Sequence, residues 1–331
     1  MTKIAILGAG SIGCWIGGHL AKGGADTILI GRARYADQIL EHGLTLTHFE
    51  RPDIHLPDVT YVTKPDVLGE ADIVAVCTKS QDTEAAAQQI LQFAKADVTA
   101  ISFQNGIRNA EILQAVLPEG MNIIPAIVPF NVTPTAPGAF HCGTAGDLVM
   151  GSVPGEIEAA LAASGQGVRP SPNIIGDQWA KMIVNLNNGL NTLSGGTLRE
   201  GLMQRDYRRA LAACVEEALD IAKAVGVEVG TFNGRKPNAL VKTLRLPNWL
   251  YALVMQLIVK IDAQARSSML DDLEAGRPPE IEYLQGEIVR QAANVGIIAP
   301  KNEAIQSAVE AAFKLGESPR LSGSVILKFI S

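Results

Sequence analysis

The chain has 331 residues, of which 47% are apolar, 5% aromatic and 19% charged, and its formal net charge is −6. This length predicts two domains, each with enough residues for a hydrophobic core. Residues 1–176 contain 10 Lys and Arg against 17 Asp and Glu, whereas residues 177–331 contain 18 against 17. Neither half has the basic surplus typical of nucleic-acid binding, so we expect no nucleic-acid partner.

Histidine and cysteine are placed so that several kinds of site are excluded. All five histidines lie in the first 141 residues, so a proton donor in the second half must be Lys, Tyr, Cys or a carboxylic acid. The four cysteines, Cys14, Cys77, Cys142 and Cys214, form no CxxC pair and no Cys/His spacing suited to zinc. We therefore expect buried free thiols in a reducing cytoplasm, with no disulfide scaffold and no metal site.

The sequence shows no pattern of a targeting or membrane segment. The N-terminus runs straight into a predicted strand, without the charged, apolar and cleavage regions of a signal peptide. The longest apolar stretch, Leu250 to Val259, contains Gln256 and is far shorter than the roughly 20 residues that a bilayer span needs. We expect a soluble cytoplasmic protein with no membrane partner.

Short β-branched runs alternate with helical patterns through the first half, which is typical of a parallel sheet built from βαβ units. The predicted elements are, in chain order, strand 3–7, helix 12–23, strand 27–30, helix 33–42, strand 73–77, helix 83–94, strand 98–103, helix 109–115 and strand 122–128. Two further apolar runs, 139–141 and 148–150, predict a β-hairpin at one edge of the sheet.

The second half has a different pattern. One more helix is expected between Gly151 and Gln178, followed by a Gly/Pro/Ser-rich stretch, and from Trp179 the pattern is helical almost to the end. We place the boundary near Gly176. Residues 1–176 are thus predicted to be an α/β domain and residues 177–331 an all-helical domain.

A glycine-rich motif, Gly8-Ala9-Gly10-Ser11-Ile12-Gly13, lies between the first predicted strand and the first predicted helix. Glycines at these positions allow a tight turn, a close approach of the backbone to a pyrophosphate, and close packing of the helix on the sheet. The helix N-terminus offers N–H donors and a partial positive charge to the phosphates. The motif therefore predicts a Rossmann-type dinucleotide-binding domain.

The end of the second strand indicates which dinucleotide binds. NAD-binding domains usually carry Asp or Glu there, but this chain carries Gly31, Arg32 and Arg34. A guanidinium can pair with the 2′-phosphate of NADP through two hydrogen bonds, whereas a carboxylate would repel it. Arg32 therefore predicts NADP(H) as the cofactor; the alternative is that both arginines are solvated surface charges.

A polar stripe is predicted at the start of the helical half, between Trp179 and Gly189. On a helix, Lys181, Asn185 and Asn188 fall within roughly 60° of one another. Buried polar groups need partners, so the stripe is either a site or the solvated face of a packed helix. Asn188-Gly189 is also a turn signal, which allows the helix to bend there.

A third polar cluster covers residues 266–272 and 280–287 and includes Ser268 and Glu280. Its acidic residues suit an ordinary helix surface. Glu280 follows two prolines and could begin a helix, where a carboxylate is stabilised by the helix dipole. The residues alone leave a structural and a catalytic role open.

With these pieces in order, the chain resembles the 2-dehydropantoate 2-reductase (ketopantoate reductase) family over nearly its whole length. The motifs that carry the resemblance are GAGSIG, CTKS, FQNG, WAKMIVN, SSMLDD, PEIEYLQGEIV and GIIAPKN. The resemblance implies NADPH-dependent reduction of 2-dehydropantoate to pantoate, a step of pantothenate synthesis, by a Rossmann domain followed by an all-helical domain.

The resemblance also assigns roles in the second half. Lys181 matches the family's catalytic lysine, which would stabilise the developing alkoxide and donate a proton. Glu280 matches the family's glutamate and would hold Lys181 or a substrate hydroxyl. Asn185 and Ser268 match residues that bind the 2-oxo acid.

Two first-half residues and one departure complete the comparison. Lys79 and Asn105 match residues near the nicotinamide and its phosphates, and Asn105 would also contact the substrate. The family's second asparagine falls at Gly189, which departs from the pattern, and the neighbouring Asn188 could take its place.

Other functions stay open at this point. Gly189 and the long segment 230–260 leave room for a relative that reduces another branched or bulkier 2-oxo acid. A non-catalytic NADP-binding regulator is a second alternative, although the joint presence of Lys181, Asn185, Ser268 and Glu280 argues against it. The segment Leu246 to Val259 is predicted to be core, with a homodimer surface or a pocket wall as alternatives.

Overall fold

The computed structural model describes residues 2–258 and 265–331. The chain folds into two compact units, Met1–Ile174 and Ile175–Ser331. Within the described residues, no helix combines the length and the apolar character needed to cross a membrane.

The first unit is built on strands that form two sheets. They are β1 (Lys3–Leu7), β2 (Asp26–Ile30), β3 (Leu44–His48), β4 (Ile54–Leu56), β5 (Thr60–Val62), β6 (Ile73–Val76), β7 (Thr99–Ser102), β8 (Ile123–Ile127), β9 (Val132–Ala136), β10 (Ala139–Cys142), β11 (Leu148–Met150) and β12 (Val168–Pro170). The large sheet has the order β12-β11-β8-β7-β6-β1-β2-β5, and the small sheet has the order β4-β3-β10-β9.

The large sheet is parallel except between β8 and β11. Its register aligns the carboxyl ends of four neighbouring strands, because Leu7 of β1 pairs with Ile30 of β2 and with Val76 of β6. Val76 in turn pairs with Ser102 of β7. The loops that follow these strands therefore leave the sheet side by side.

Helices cover both faces of the large sheet. They are α1 (Ser11–Lys22), α2 (Ala33–His42), α3 (Thr83–Phe93), α4 (Asn109–Val116) and α5 (Gly155–Ala163). Alternate residues of β1 enter the two cores: Ile4 and Ile6 pack with α1 and the small sheet, whereas Ala5 and Leu7 pack with α3 and α4. This alternation follows from the two-residue period of a strand.

The predicted elements of residues 3–128 are confirmed, with ends that differ by at most one residue. The predicted hairpin of residues 139–141 and 148–150 was wrong. Strand β10 pairs with β9 and β3 in the small sheet, whereas β11 pairs with β8 and β12 in the large sheet. The hairpin lies one strand earlier, where β9 turns into β10 at Gly138, whose φ of +68° suits glycine.

The regular elements of the second unit are helices throughout its described residues, beside one isolated β-bridge between Phe232 and Arg235. Its helices are α6 (Ile174–Asn185), α7 (Asn187–Ser194), α8 (Leu198–Met203), α9 (Arg205–Ala224), α10 (Pro237–Leu244), α11 (Asn248–Ile258), α12 (Ser268–Glu274), α13 (Gln285–Asn294), α14 (Pro300–Leu315) and α15 (Gly323–Phe329). The segment Leu246 to Val259 corresponds mainly to α11, where Tyr251 is buried as expected for core but Trp249 is 72% exposed. Val259 lies outside the described residues.

A buried cation organises the middle of this unit. Arg208 of α9 is fully buried, and its guanidinium lies 4.1 Å from the centroid of the Tyr251 ring. The guanidinium donates hydrogen bonds of 2.8–3.2 Å to the carbonyl oxygens of Leu202, Leu244 and Leu246 and to Oδ1 of Asn248. One side chain thus joins α8, the end of α10 and the start of α11.

Replacement of Arg208 by methionine is expected to lower the free energy of unfolding by about 3 kcal/mol or more, because buried acceptors would lose their donor. Urea unfolding followed by circular dichroism measures this loss. Arg209→Met is the matched control, because Arg209 is exposed and pairs with Asp206. This variant should lower the free energy of unfolding by no more than about 0.5 kcal/mol. Similar losses in both variants would contradict the role of Arg208.

Candidate functional site

The glycine-rich turn leaves the carboxyl end of β1 and packs against the loop that follows β6. Gly8 has φ +95°, and a Cβ added to it would lie 2.5 Å from the backbone nitrogen of Thr78. Only glycine tolerates both the left-handed conformation and this approach. The turn is therefore fixed next to the loop that carries Lys79.

The structure supports a fit between this turn and a pyrophosphate. Nothing within 4 Å meets a Cβ built on Gly10, so the space over the turn is open. Helix α1 starts at Ser11 with no side-chain cap and no acidic residue in its first turn. Its first N–H groups have no partner inside the helix, and their partial positive charge suits a phosphate anion.

The two arginines after β2 have different surroundings. Arg34 donates to the hydroxyl of Tyr35 at 2.8 Å and lies 4.5 Å from that ring centroid. Arg32 is exposed at the N-cap of α2, directly beyond the carboxyl end of β2. Of the two, Arg32 has the side chain that is not engaged with Tyr35.

Lys79 and Asn105 lie after β6 and β7, in neighbouring loops. The carbonyl oxygen of Asn105 accepts a 2.9 Å hydrogen bond from the Ser80 hydroxyl and a second one from the Asn109 side chain. These bonds hold the Asn105 backbone against the residue that follows Lys79. Both residues therefore lie in loops at the edge of the sheet that also carries Gly8.

Gln104, which was not among the predicted site residues, connects the two loops through hydrogen bonds. This buried amide donates to the hydroxyls of Thr83 at 2.7 Å and Thr78 at 3.1 Å, and accepts from Ser102 at 3.1 Å. The signal in the sequence was a polar residue directly after a buried strand, beside the Asn105 of the FQNG motif.

In the second unit, the structure brings Lys181 and Glu280 together. Lys181 lies on α6 and is half-buried, while Glu280 is buried at the start of a short 3₁₀ helix, Ile281–Tyr283. Burial lowers the pKa of Lys181 from its usual 10.5 to about 8, and the nearby carboxylate of Glu280 opposes part of that shift. A lysine in this state can give up a proton near neutral pH.

The predicted polar stripe of Lys181, Asn185 and Asn188 crosses a one-residue interruption at Leu186, which keeps right-handed helical φ and ψ of −56° and −23°. Helix α6 ends at Asn185 and α7 begins at Asn187. At the interruption, the side chain of the buried Gln285 donates a 2.7 Å hydrogen bond to the carbonyl oxygen of Leu186. Lys181 and Asn185 therefore share one helix, one turn apart, whereas Asn188 belongs to the next.

The same glutamine explains the glycine at position 189. A Cβ added to Gly189 would lie 2.8 Å from Nε2 of Gln285 and 3.0 Å from the Ile305 side chain. A side chain at position 189 would therefore have to displace the end of Gln285 and so disturb its bond to Leu186.

Ser268 is positioned by its neighbour and by a residue that sequence analysis missed. Ser267 caps α12 by accepting from the N–H of Leu270 at 3.2 Å, which leaves Ser268 as the first, half-buried residue of the helix. The backbone N–H of Ser267 donates to Oδ1 of Asn191 at 2.9 Å. Asn191, fully buried on α7, thus fixes the start of α12.

The GIIAPKN motif has a structural role. The carboxylate of Glu217 accepts from the backbone N–H groups of Lys301 at 3.1 Å and Asn302 at 2.8 Å, in the first turn of α14. The Asn302 side chain donates to the same carboxylate and to the carbonyl oxygen of Cys214. The motif therefore anchors α14 on α9.

The four cysteines form no disulfide. Three are buried, and Cys77 is partly exposed. Across residues 2–258 and 265–331, no group of three or more His, Cys, Asp and Glu is arranged to hold a metal ion.

Two sequence families match the chain. Residues 4–155 match the family described as "Ketopantoate reductase PanE/ApbA", and residues 173–312 match "Ketopantoate reductase PanE/ApbA C terminal". A 2-dehydropantoate 2-reductase of Pyrococcus horikoshii is 29% identical over 328 residues, which cover 95% of this chain and 98% of the relative.

Solved structures have the same architecture. A PanE/ApbA family ketopantoate reductase from Ralstonia eutropha has a TM-score of 0.82 and 28% identity, with 95% of this chain and 99% of that chain covered. A 2-dehydropantoate 2-reductase from Geobacter metallireducens has a TM-score of 0.79 and 25% identity, with 94% and 99% covered. Both the sequence and the fold place this chain in the ketopantoate reductase family of oxidoreductases.

Proposed function

We propose that this protein reduces 2-dehydropantoate to pantoate with NADPH, and that Lys181 donates the proton. The observation that carries the proposal is the half-buried Lys181 beside the buried carboxylate of Glu280, with a lysine pKa lowered to about 8. Relatives that match nearly the whole chain carry the name of this activity. In a cell, the reaction would take place in the cytoplasm, and its product, pantoate, would be used for pantothenate synthesis.

The groups for the cofactor lie on the first unit. The turn of residues 8–13 and the N-terminus of α1 would hold the pyrophosphate. Arg32 would pair with the 2′-phosphate, which a carboxylate at this position would repel. Lys79 and Asn105 would contact the nicotinamide half. NADPH, when bound, supplies a hydride to the 2-keto carbon.

Lys181 meets the charge that develops as the keto oxygen becomes an alkoxide. Its ammonium would stabilise this oxygen and then transfer a proton from Nζ, leaving a neutral amine. The carboxylate of Glu280 favours the ammonium form of Lys181, so the proton donor stays protonated at neutral pH. Asn185, one turn further along α6, and Ser268 would hold the oxo acid by neutral hydrogen bonds, with Asn188 and Asn105 as further contacts.

A second candidate is the reduction of a different 2-oxo acid. The packing of Gly189 against Gln285 favours it, because the site lacks the second asparagine that the family carries at this position. Initial rates with a panel of branched, aromatic and straight-chain 2-oxo acids, each with NADPH and with NADH, separate the two. The proposal expects the highest kcat/KM for 2-dehydropantoate, and NADPH binding with no turnover of any oxo acid would overturn both candidates.

Replacement of Lys181 by alanine is expected to lower kcat by at least about two orders of magnitude, the usual scale for general acid catalysis. The dissociation constant of NADPH should stay unchanged, because Lys181 lies outside the groups assigned to the cofactor. Steady-state kinetics and a fluorescence titration measure the two quantities. Lys223→Ala, an exposed lysine on α9, is the control, and near-normal turnover of the Lys181 variant would reject the assignment.

The pH dependence of the reduction should report the lysine. The donor must be protonated, so kcat/KM is expected to be level below pH about 8 and to fall about tenfold per pH unit above it. Glu280→Gln removes a charge that raises the pKa of Lys181, so the break should move to lower pH. A break that stays in place or moves upward in the variant would show that another group titrates.

The cofactor preference is expected to depend on Arg32. Arg32→Glu should weaken NADPH binding at least about tenfold and leave NADH binding nearly unchanged, because only the 2′-phosphate meets the new carboxylate. Dissociation constants for both dinucleotides provide the measurement. Arg51→Glu introduces the same charge change elsewhere in the unit, and an equal effect of both substitutions would show that Arg32 makes no specific contact.

A further inference from the structure

Tyr61, which lies outside the glycine-rich motif, contacts the turn that the motif forms. It lies on β5, the edge strand that pairs with β2, and far in sequence from the turn. Its hydroxyl donates a 2.8 Å hydrogen bond to the carbonyl oxygen of Ala9, and the thiol of Cys14 donates to the same oxygen at 3.5 Å. The Ala9 carbonyl is therefore held by two donors from different elements.

The hydroxyl reaches Ala9 only because position 31 is glycine. A Cβ added to Gly31 would overlap Oη of Tyr61 and would lie 3.0 Å from its Cζ. The φ of Gly31 is not in the left-handed region, so the backbone itself would accept alanine. The glycine that precedes Arg32 is thus explained by the path of the tyrosine hydroxyl.

The strand that carries Tyr61 is also joined to the segment that leads to Arg32. Tyr61 pairs with Leu29 of β2, and the N–H of Gly31 donates to the carbonyl oxygen of Val62 at 3.0 Å. Burial raises the pKa of Tyr61, and the charges of Arg32 and Arg34 oppose that rise. Tyr61 therefore links the turn assigned to the pyrophosphate to the strand that precedes Arg32.

The other end of the peptide that carries the Ala9 carbonyl, the N–H of Gly10, donates to the carbonyl oxygen of Gly8 at 2.7 Å. Loss of the Tyr61 bond would remove one of the constraints that keep the Ala9 carbonyl from turning its negative end toward a bound phosphate.

We propose that Tyr61 is a positioning residue for the dinucleotide: its hydroxyl holds the Ala9 carbonyl inward and so fixes the glycine-rich turn in its phosphate-binding form. This inference rests on the proposed dinucleotide function. Tyr61 acts on the turn and not on the 2′-phosphate, so its effect must be the same for NADPH and NADH.

The test is Tyr61→Phe, which removes the hydroxyl and keeps the ring. The dissociation constants of NADPH and NADH should both rise about tenfold, the scale of one hydrogen bond to a buried carbonyl, while kcat at saturating NADPH stays within twofold. Tyr207→Phe is the matched control, because it removes a buried hydroxyl that donates a single 2.7 Å bond to Asn187 in the other unit. It should lower stability similarly and leave both dissociation constants unchanged.

A double-mutant cycle distinguishes this positioning role from a general loss of structure. Gly31→Ala should weaken both dinucleotides in the wild-type background, where the new Cβ overlaps Oη, and have a smaller further effect in Tyr61→Phe, where contacts of 3.0 Å to Cζ and 3.1 Å to the Ala9 carbonyl oxygen remain. Additive effects, or unchanged binding in Tyr61→Phe, would overturn the inference, as would a loss confined to NADPH. If the wild-type chain binds neither dinucleotide, the proposed function itself fails, which is a distinguishable result.

Discussion

The close approach of Gly8 to Thr78 is the constraint on which the first unit depends. A parallel sheet ends all its strands at one edge, but the loops at that edge form a common surface only if their backbones pack closely. A glycine with positive φ, placed where any Cβ would collide with the neighbouring loop, provides that packing. Gln104 and Asn109 extend it to the loop after β7, through bonds between buried polar groups.

The second unit contains two cationic side chains that are partly or fully buried, Lys181 and Arg208. Their surroundings affect their charges in opposite ways. Arg208 is surrounded by neutral oxygen acceptors and an aromatic ring, so its charge is fixed and serves packing. Lys181 is desolvated with a carboxylate nearby, so the energies of its charged and neutral forms are close. A group of the second kind can exchange a proton during a reaction.

Sequence patterns predicted the first unit well where strands and helices alternate, and less well elsewhere. Strands β3, β4 and β5 read LTLTH, IHL and TYV and lack the continuous apolar runs of β1 and β6, on which the strand predictions depended. The pairing of β10 and β11 with different sheets depends on long-range contacts that no local pattern contains. In the candidate site, the glycine-rich motif and the polar stripe that contains Lys181 could be found from residue type and spacing. Gln285, Asn191 and Tyr61 could not, because each acts on residues more than 50 positions away.

The interruption at Leu186 has a consequence for how this site can change over evolutionary time. Gln285 donates to the carbonyl oxygen of Leu186 at the interruption and occupies the space next to Gly189. A side chain at position 189 would displace the end of the glutamine, and loss of the glutamine alone would remove its bond to the buried Leu186. A change at one position thus alters what the other position tolerates. Positions 189 and 285 are therefore epistatic, and lineages that differ at one should differ at the other.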